Sequence, residues 1–253
     1  MILTRRTALV GGLAGAGGLL AGCDTVGDSA IGRNVLYSGD TLHRVLQRGV
    51  TARTALAREF APENLSPVFR ANGTRNPNRP DYNAAVAENF ANWRIAIDGL
   101  VARPLSLSMA DIRSMPARTQ ITRHDCVEGW SAIGKWTGPR LKPLLELAGL
   151  RDAARFLVFH CADHYNNGPS AYYESIDLID AFHPQTILAW RLNDRMLDVP
   201  HGAPVRLRVE RQLGYKHAKY VRRIEAAASL DGIGQGKGGF WEDVAGYDWY
   251  AGI

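Results

Sequence analysis

Six short runs of strand character, at residues 93–97, 119–123, 156–159, 186–190, 205–209 and 220–224, limit what this chain can fold into. Each is five residues or fewer of apolar, β-branched or alternating side chains, too short to be read as an amphipathic helix. Helix signals lie between them. Ser108 followed three residues later by Asp111 makes a capping box, and Leu141, Leu144 and Leu145 ahead of Gly149 describe a short helix with a glycine stop. Residues 175–180 read as a further brief helix start, Asp98-Gly99 as a turn, and Asn193-Asp194 as the turn of a hairpin. In the run 205–209 the alternation should pack one face and leave Arg206 and Arg208 on the other. Strands and short helices interleaved this way predict one mixed α+β domain without internal repeats. Upstream, Leu42, Val45, Leu46 and Val50, then Leu56 and Phe60, recur at helical spacing and predict one or two helices before an Asn- and Pro-rich loop over 64–80.

The N-terminus has the three-part layout of an export signal: Thr4-Arg5-Arg6, an uncharged glycine-rich stretch over 9–20, and Leu20-Ala21-Gly22-Cys23. The stretch falls short of the roughly 20 apolar residues a spanning helix needs. The paired arginines resemble a twin-arginine signal, a route that carries folded and often cofactor-loaded proteins. Leu20-Ala21-Gly22-Cys23 resembles a lipoprotein cleavage box with Cys23 as the lipid acceptor. The expectation is loss of residues 1–22 and a periplasmic or extracytoplasmic protein tethered to the cell membrane by lipidated Cys23, with Asp24 favouring retention at the inner membrane.

Thirty basic residues against 25 acidic ones give a net charge of +5. Without Arg5 and Arg6 the balance is 28 to 25, and the basic residues are dispersed, so a nucleic-acid role is excluded. The mild excess fits either solvated surface or a pocket for an anion. The glycine run 232–238 is no phosphate loop, because Asp231 stands where the first glycine belongs and Gly238 where Ser or Thr belongs.

Beyond Cys23 the cysteines are Cys126 and Cys161, and their spacing excludes paired Cys-x-x-Cys zinc sites. On count alone, a Cys126–Cys161 disulfide in a non-enzymatic binding module is a fair reading for an exported chain. A cysteine nucleophile served by His124 or His160 is another.

Around Cys126 the sequence reads Arg123-His124-Asp125-Cys126-Val127-Glu128-Gly129-Trp130-Ser131, then Trp136-Thr137-Gly138 and Leu141-Lys142-Pro143-Leu144-Leu145. Further on come His201-Gly202-Ala203-Pro204-Val205-Arg206-Leu207 and Gly214-Tyr215-Lys216-His217-Ala218-Lys219. In order and spacing these segments resemble the sulfite oxidase family, nearest to its periplasmic methionine-sulfoxide reductase catalytic subunits, over roughly residues 68–230. The sulfite-oxidising branch follows its cysteine with Ala-Gly-Asn-Arg-Arg, where this chain has Val127-Glu128-Gly129-Trp130-Ser131, so sulfite is the weaker substrate expectation.

The resemblance implies a sulfite-oxidase-type fold and a molybdenum-molybdopterin cofactor whose metal takes Cys126 as its protein ligand, a soft thiolate that coordinates deprotonated. It implies cofactor contacts from Asn72, Cys161, His201, Arg206, His217 and Lys219. Cys161 stands where that branch tends to have Thr, and His201 where it has Asn. Arg206 and Lys219 suit the cofactor's phosphate, the one as a planar grip and the other as a point charge. Arg123 and His124, beside Cys126, are candidates for the catalytic pocket, with a structural salt bridge as the alternative reading. The favoured reaction is reduction of S- or N-oxides, including methionine sulfoxide in proteins, with a sulfite or sulfur-compound oxidase as the alternative. The chain carries neither a haem Cys-x-x-Cys-His motif nor a flavin fingerprint, so a membrane haem protein of cytochrome b type is the expected electron partner. The expected organisation is a signal (1–22), a helical lead-in (23–67), the molybdopterin-binding domain (68–230) and a glycine- and aromatic-rich tail (231–253) packed on it, in a monomer.

Overall fold

The computed structural model describes residues 42–253 together with Ser29 and Gly39, so the signal segment and Cys23 lie outside the described residues. The chain divides into two units, residues 1–50 and 51–253. In the first, residues 42–50 are helical and expose Leu42, Val45, Leu46 and Val50. No helix among the described residues is long and apolar enough to cross a membrane.

The second unit is α+β. Its strands are β1 (Arg94–Gly99), β2 (Leu105–Ser108), β3 (Ala117–Cys126), β4 (Trp130–Pro139), β5 (Phe156–Cys161), β6 (Tyr173–Asp177), β7 (Ile187–Ala189), β8 (Arg191–Leu192), β9 (Arg195–Met196), β10 (Arg206–Arg208) and β11 (Val221–Ala227). Its helices are α1 (Pro80–Ala87), α2 (Met109–Ser114), α3 (Leu141–Ala148), α4 (Leu178–Ala181) and α5 (Phe240–Ala245). Three sheets form, ordered β2-β1-β11-β5-β6, β3-β4-β8-β9 and β10-β7. The parallel pairing of β1 with β11 ties the two ends of the domain together.

Local chemistry explains the elements that matter. Ser108 and Asp111 form the reciprocal capping box that starts α2. Gly149, left-handed, stops α3, whose Leu141, Leu144, Leu145 and Ala148 are buried against the five-stranded sheet. Each such leucine contributes about 1.5–3 kcal/mol by leaving water. A second core forms around Trp136 on β4, with Phe69, Ile187, Ala189 and Leu192.

Four expectations are corrected. Residues 51–60 are not helical: Glu59 bridges Thr122, and Phe60 N donates to Ile121 O at 2.8 Å. The segment covers the free edge of β3, and ladder pairing there overrides the helical spacing of Leu56 and Phe60. Residues 173–177 are strand, with the helix starting only at Leu178, because β6 pairs with β5 and Asp177 then caps α4. Arg206 and Arg208 do not reach solvent; both are fully buried around Trp136, their guanidinium carbons 5.1 and 4.3 Å from its ring centroid. Cys126 and Cys161 are both free thiols, so the disulfide alternative is not realised.

Candidate active site

Cys126 is the last residue of β3 and faces Trp130, the first of β4, across a hairpin closed by Val127, Glu128 and Gly129. Gly129 has φ +84°, the left-handed conformation a three-residue hairpin loop requires, and its N–H donates to Cys126 O at 3.0 Å. Glu128 accepts from Trp130 Nε1 at 2.9 Å, fixing the turn's outer side. Cys126 is 9% exposed and lines a cavity of about 200 Å3, with Val127 and Glu128 exposed at its rim. Burial raises the thiol's pKa, with the Glu128 charge adding to it against a hydrogen bond from the Glu128 backbone.

Part of the cavity lining is polar. Asn72, Gly73 and Thr74 come from the loop ahead of α1, and Lys219 fastens that loop by donating to the carbonyls of Asn72 at 2.7 Å, Pro200 at 3.0 Å and Thr74. Burial, with Arg206 nearby, pushes the Lys219 pKa down to about 7, and Asp163 opposes that shift. Three carbonyl acceptors match the three hydrogens of an ammonium. Asp163 also lines this part, and burial raises its carboxyl above the usual range. His217 donates Nε2–H to Gln212 O at 3.0 Å; burial and then Arg208 push its pKa well below the ordinary value. Its Nδ1 is therefore an acceptor. The lining also holds aromatic residues, Tyr165, Tyr172 and Tyr215 with Trp241 and Tyr247 from the tail.

Of the residues singled out from sequence, Asn72, Cys126, His217 and Lys219 line the cavity together. Arg206 stands behind the wall, donating to His201 O at 3.2 Å and His217 O at 3.3 Å. His201 turns its ring to Asp198 and to Phe69 O at 2.9 Å and meets the site only through its carbonyl. Cys161 lies in the core beneath, its Sγ 3.8 Å from Phe159 O. On β3, alternation places His124 on the buried face with Cys126 and turns Arg123 away. Arg123 is half exposed and paired with Asp125 at 2.9 Å, beside a different hollow. His124 is sealed behind the turn Gly214–Lys216, where a β-carbon on Gly214 would come within 2.5 Å of His124 Nε2.

Sequence reasoning missed Asp163, which follows β5 directly, and the aromatic wall. It also missed the buried cluster that holds the wall, in which Lys216 donates to Glu174 and, at 2.7 Å, to Glu242. Nothing in local spacing joins β6, the 214–216 turn and α5. Only the sheet order brings them together.

The oxidoreductase molybdopterin binding domain family matches residues 83–231, more than half of the chain. The chain belongs to this family. Members of the oxidoreductase molybdopterin binding domain family are molybdopterin-dependent enzymes, and so is this protein. Over 254 aligned residues it is 32% identical to a protein of Azospira oryzae named, by inference, protein-methionine-sulfoxide reductase subunit YedZ1, covering 98% of this chain and 86% of that one. It is 35% identical over 153 residues to the protein-methionine-sulfoxide reductase catalytic subunit MsrP of Campylobacter jejuni, covering 56% of this chain and 52% of that one. The match to MsrP of Ralstonia nicotianae is 31% over 141 residues, covering 52% and 43%. The aligned part thus spans about half the length of these two MsrP relatives. In fold the chain resembles the sulfane dehydrogenase SoxCD of Paracoccus pantotrophus, with TM-score 0.50 and 23% identity over 55% of this chain and 39% of that one.

The cavity fits the family's cofactor. Asn72 Oδ1, Asp163 Oδ1 and His217 Nδ1 are buried on its wall without a hydrogen-bond partner, and each such atom costs about 1–3 kcal/mol unless a ligand satisfies it. Among the described residues no group of three His, Cys, Asp or Glu could hold a metal unaided. A metal held by Cys126 would need its other ligands from a non-protein group such as a dithiolene. Lys219, with Arg206 behind it, would supply positive charge to an anionic group.

Proposed function

We propose that this protein reduces sulfoxides, methionine sulfoxide foremost, at a molybdenum atom held through Cys126. The observation that carries the reading is the placing of Cys126 at a hairpin tip in a cavity lined both by polar residues with unsatisfied acceptors and by aromatic rings. The names of the relatives support the substrate. When bound, the cofactor supplies two-electron oxygen-atom transfer, chemistry that side chains lack. The net reaction takes a sulfoxide, two electrons and two protons to a thioether and water.

The chain's own residues divide the remaining work. Cys126 gives up its proton on coordination, which its raised pKa otherwise resists. Asn72, Asp163 and His217 would offer acceptors to the cofactor's N–H groups and Lys219 would offer its charge, while Arg206 keeps the His201 and His217 backbones in place behind them. The substrate side favours a neutral molecule: beside Cys126 a sulfite dianion would meet Glu128 and aromatic rings, while Arg123 and Arg208 are turned elsewhere. The two electrons come from a separate membrane haem protein of cytochrome b type, and the enzyme works outside the cytoplasm after twin-arginine export, anchored by lipid on Cys23.

Protein matured in a molybdopterin-producing cell should contain one molybdenum per chain, lost in Cys126→Ser. It should oxidise a reduced dye with methionine sulfoxide and leave cytochrome unreduced with sulfite. Full molybdenum in Cys126→Ser, or sulfite oxidation faster than sulfoxide reduction, would overturn the proposal.

A further inference from the structure

The tail contributes to the active-site wall from beyond the matched family domain. Four cavity-lining rings form a continuous string: Tyr165 meets Trp241 edge-on with centroids 4.6 Å apart, Trp241 stacks on Tyr247 at 5.7 Å, and Tyr247 meets Tyr215 at 5.1 Å. Trp241 and Tyr247 lie after residue 231, where the family match ends.

Three features identify what the string faces. First, it is fixed: Tyr215 and Trp241 each precede a member of the buried ion cluster, Lys216 and Glu242, so the charges that dock the tail also set the rings. Second, hydroxyls on this wall are already engaged: Tyr215 Oη donates to Asp248 O at 2.5 Å and the neighbouring Tyr172 Oη donates to Tyr215 O at 2.8 Å. Of the cavity-lining polar atoms without a partner, Asn72 Oδ1, Thr74 Oγ1 and Asp163 Oδ1 lie on other segments, whereas His217 Nδ1 is two residues after Tyr215. Third, its Tyr165 end borders a second hollow. Tyr165 and Glu128 line this adjoining polar hollow with Arg75, Asn76 and His164, and exposed Val127 sits beside Cys126 at the cavity rim.

We infer that Trp241 and Tyr247 are specificity-determining residues that receive the substrate's S-methyl group, while the adjoining hollow accepts the polypeptide flanking a protein-borne methionine sulfoxide. This rests on the sulfoxide reading above. The physical basis is the attraction between a polarisable methylated sulfur and an aromatic ring, together with exclusion of water from that group. An inorganic oxyanion gains nothing from such a surface.

The test compares Trp241→Leu and Tyr247→Leu, which keep apolar bulk but remove a ring, with Trp241→Phe, which keeps a ring. Both positions are only half-buried, so folding is expected to survive and is checked by thermal melting. Three quantities are read on cofactor-loaded enzyme: molybdenum per chain, dye-linked kinetics with methionine sulfoxide, and calorimetric binding of methionine sulfone, which carries the same S-methyl group. The leucine variants should keep their molybdenum and a kcat within about twofold of the parent. Their KM for the sulfoxide and Kd for the sulfone should rise by up to about tenfold, the span of a sulfur–aromatic contact. Trp241→Phe should restore most of the loss. Unchanged KM and Kd in both leucine variants overturn the inference, and loss of molybdenum reassigns the wall to the cofactor and overturns it too. Parent enzyme that is fully loaded yet inert toward methionine sulfoxide sinks the sulfoxide reading itself, a result distinct from either.

Discussion

Arg208 Nη1 donates to His124 Nδ1 at 2.9 Å, with both side chains sealed from solvent. A guanidinium has no acceptor, so Nδ1 must offer a lone pair and the imidazole carries its single proton on Nε2. Burial first, then the charges of Arg208, Arg206 and Lys219, push the His124 pKa well below its ordinary value. Arg208 is itself held by Glu210 through two contacts, at 2.9 and 2.6 Å, and lies over Trp136. His124 is therefore a neutral spacer between this cationic cluster and Gly214, two residues back from Cys126 on the same face of β3.

That state has a pH signature. In the unfolded chain His124 titrates near about 6.5, whereas the folded chain keeps it neutral, so below that pH the unfolded state binds more protons and stability falls as pH falls. The loss should reach about 1.4 kcal/mol at pH 5.5. His217 shifts in the same direction, so the contribution must be isolated by difference. Urea denaturation of His124→Gln between pH 7.5 and 5.5 should lose about that much less stability than the parent does. Equal losses would mean that His124 takes up a proton in the folded protein.

Gly214 connects this spacer to the cavity. A β-carbon there would lie 2.5 Å from His124 Nε2 and 3.2 Å from Asp125 O, so the buried ring or the turn would have to shift. Gly214→Ala should cost about 1–3 kcal/mol, the usual penalty of overpacking, and should lower molybdenum content because the displaced turn leads into His217. Stability at the parental level with full metal loading would show that the turn shifts freely.

Arg123 illustrates how a motif misleads about direction. It adjoins His124 and Cys126 in sequence, but strand alternation sends it outward to an exposed pair with Asp125. Such pairs contribute about 0–1 kcal/mol. Arg123→Ala should leave molybdenum content, KM and kcat within about twofold of the parent. A KM raised tenfold would place the substrate on the outer hollow with Phe60 and Ile133.

The same distinction explains how much was legible in the sequence. Elements specified by neighbouring residues could be read directly: the Ser108–Asp111 cap, the Gly149 stop, and the Asn193–Asp194 hairpin turn, both of whose residues adopt positive φ. Asn72, Cys126, His217 and Lys219 could be singled out because family motifs carry them. What the sequence hid depends on partners far along the chain. The free edge of β3 recruits residues 59–60 out of a helical pattern, and Trp136 draws two arginines inward that alternation alone would send to solvent. Asp163 and the tail aromatics gain their meaning only from the cavity they share.

Lys216 is the extreme of that long-range dependence. Its ammonium sits fully buried between Glu174 and Glu242, two carboxylates that also have a buried oxygen each without a partner. Burial alone would lower the Lys216 pKa, but the two carboxylates outweigh it and the net shift is upward. Burial, reinforced by the Glu242 charge, drives the Glu174 pKa well above the carboxylate range. Lys216→Met leaves both acids without their cation and should cost about 3–5 kcal/mol at pH 7 by urea denaturation, whereas Glu242→Gln leaves a one-to-one pair and should cost far less. The sign of the pH effect is fixed as well. A carboxyl whose folded pKa is raised binds more protons folded than unfolded, so the Lys216→Met deficit should shrink as pH falls from 7 toward 5. A deficit below about 1 kcal/mol, or one that grows on acidification, would show that the tail is docked by its apolar contacts and not by this charge cluster.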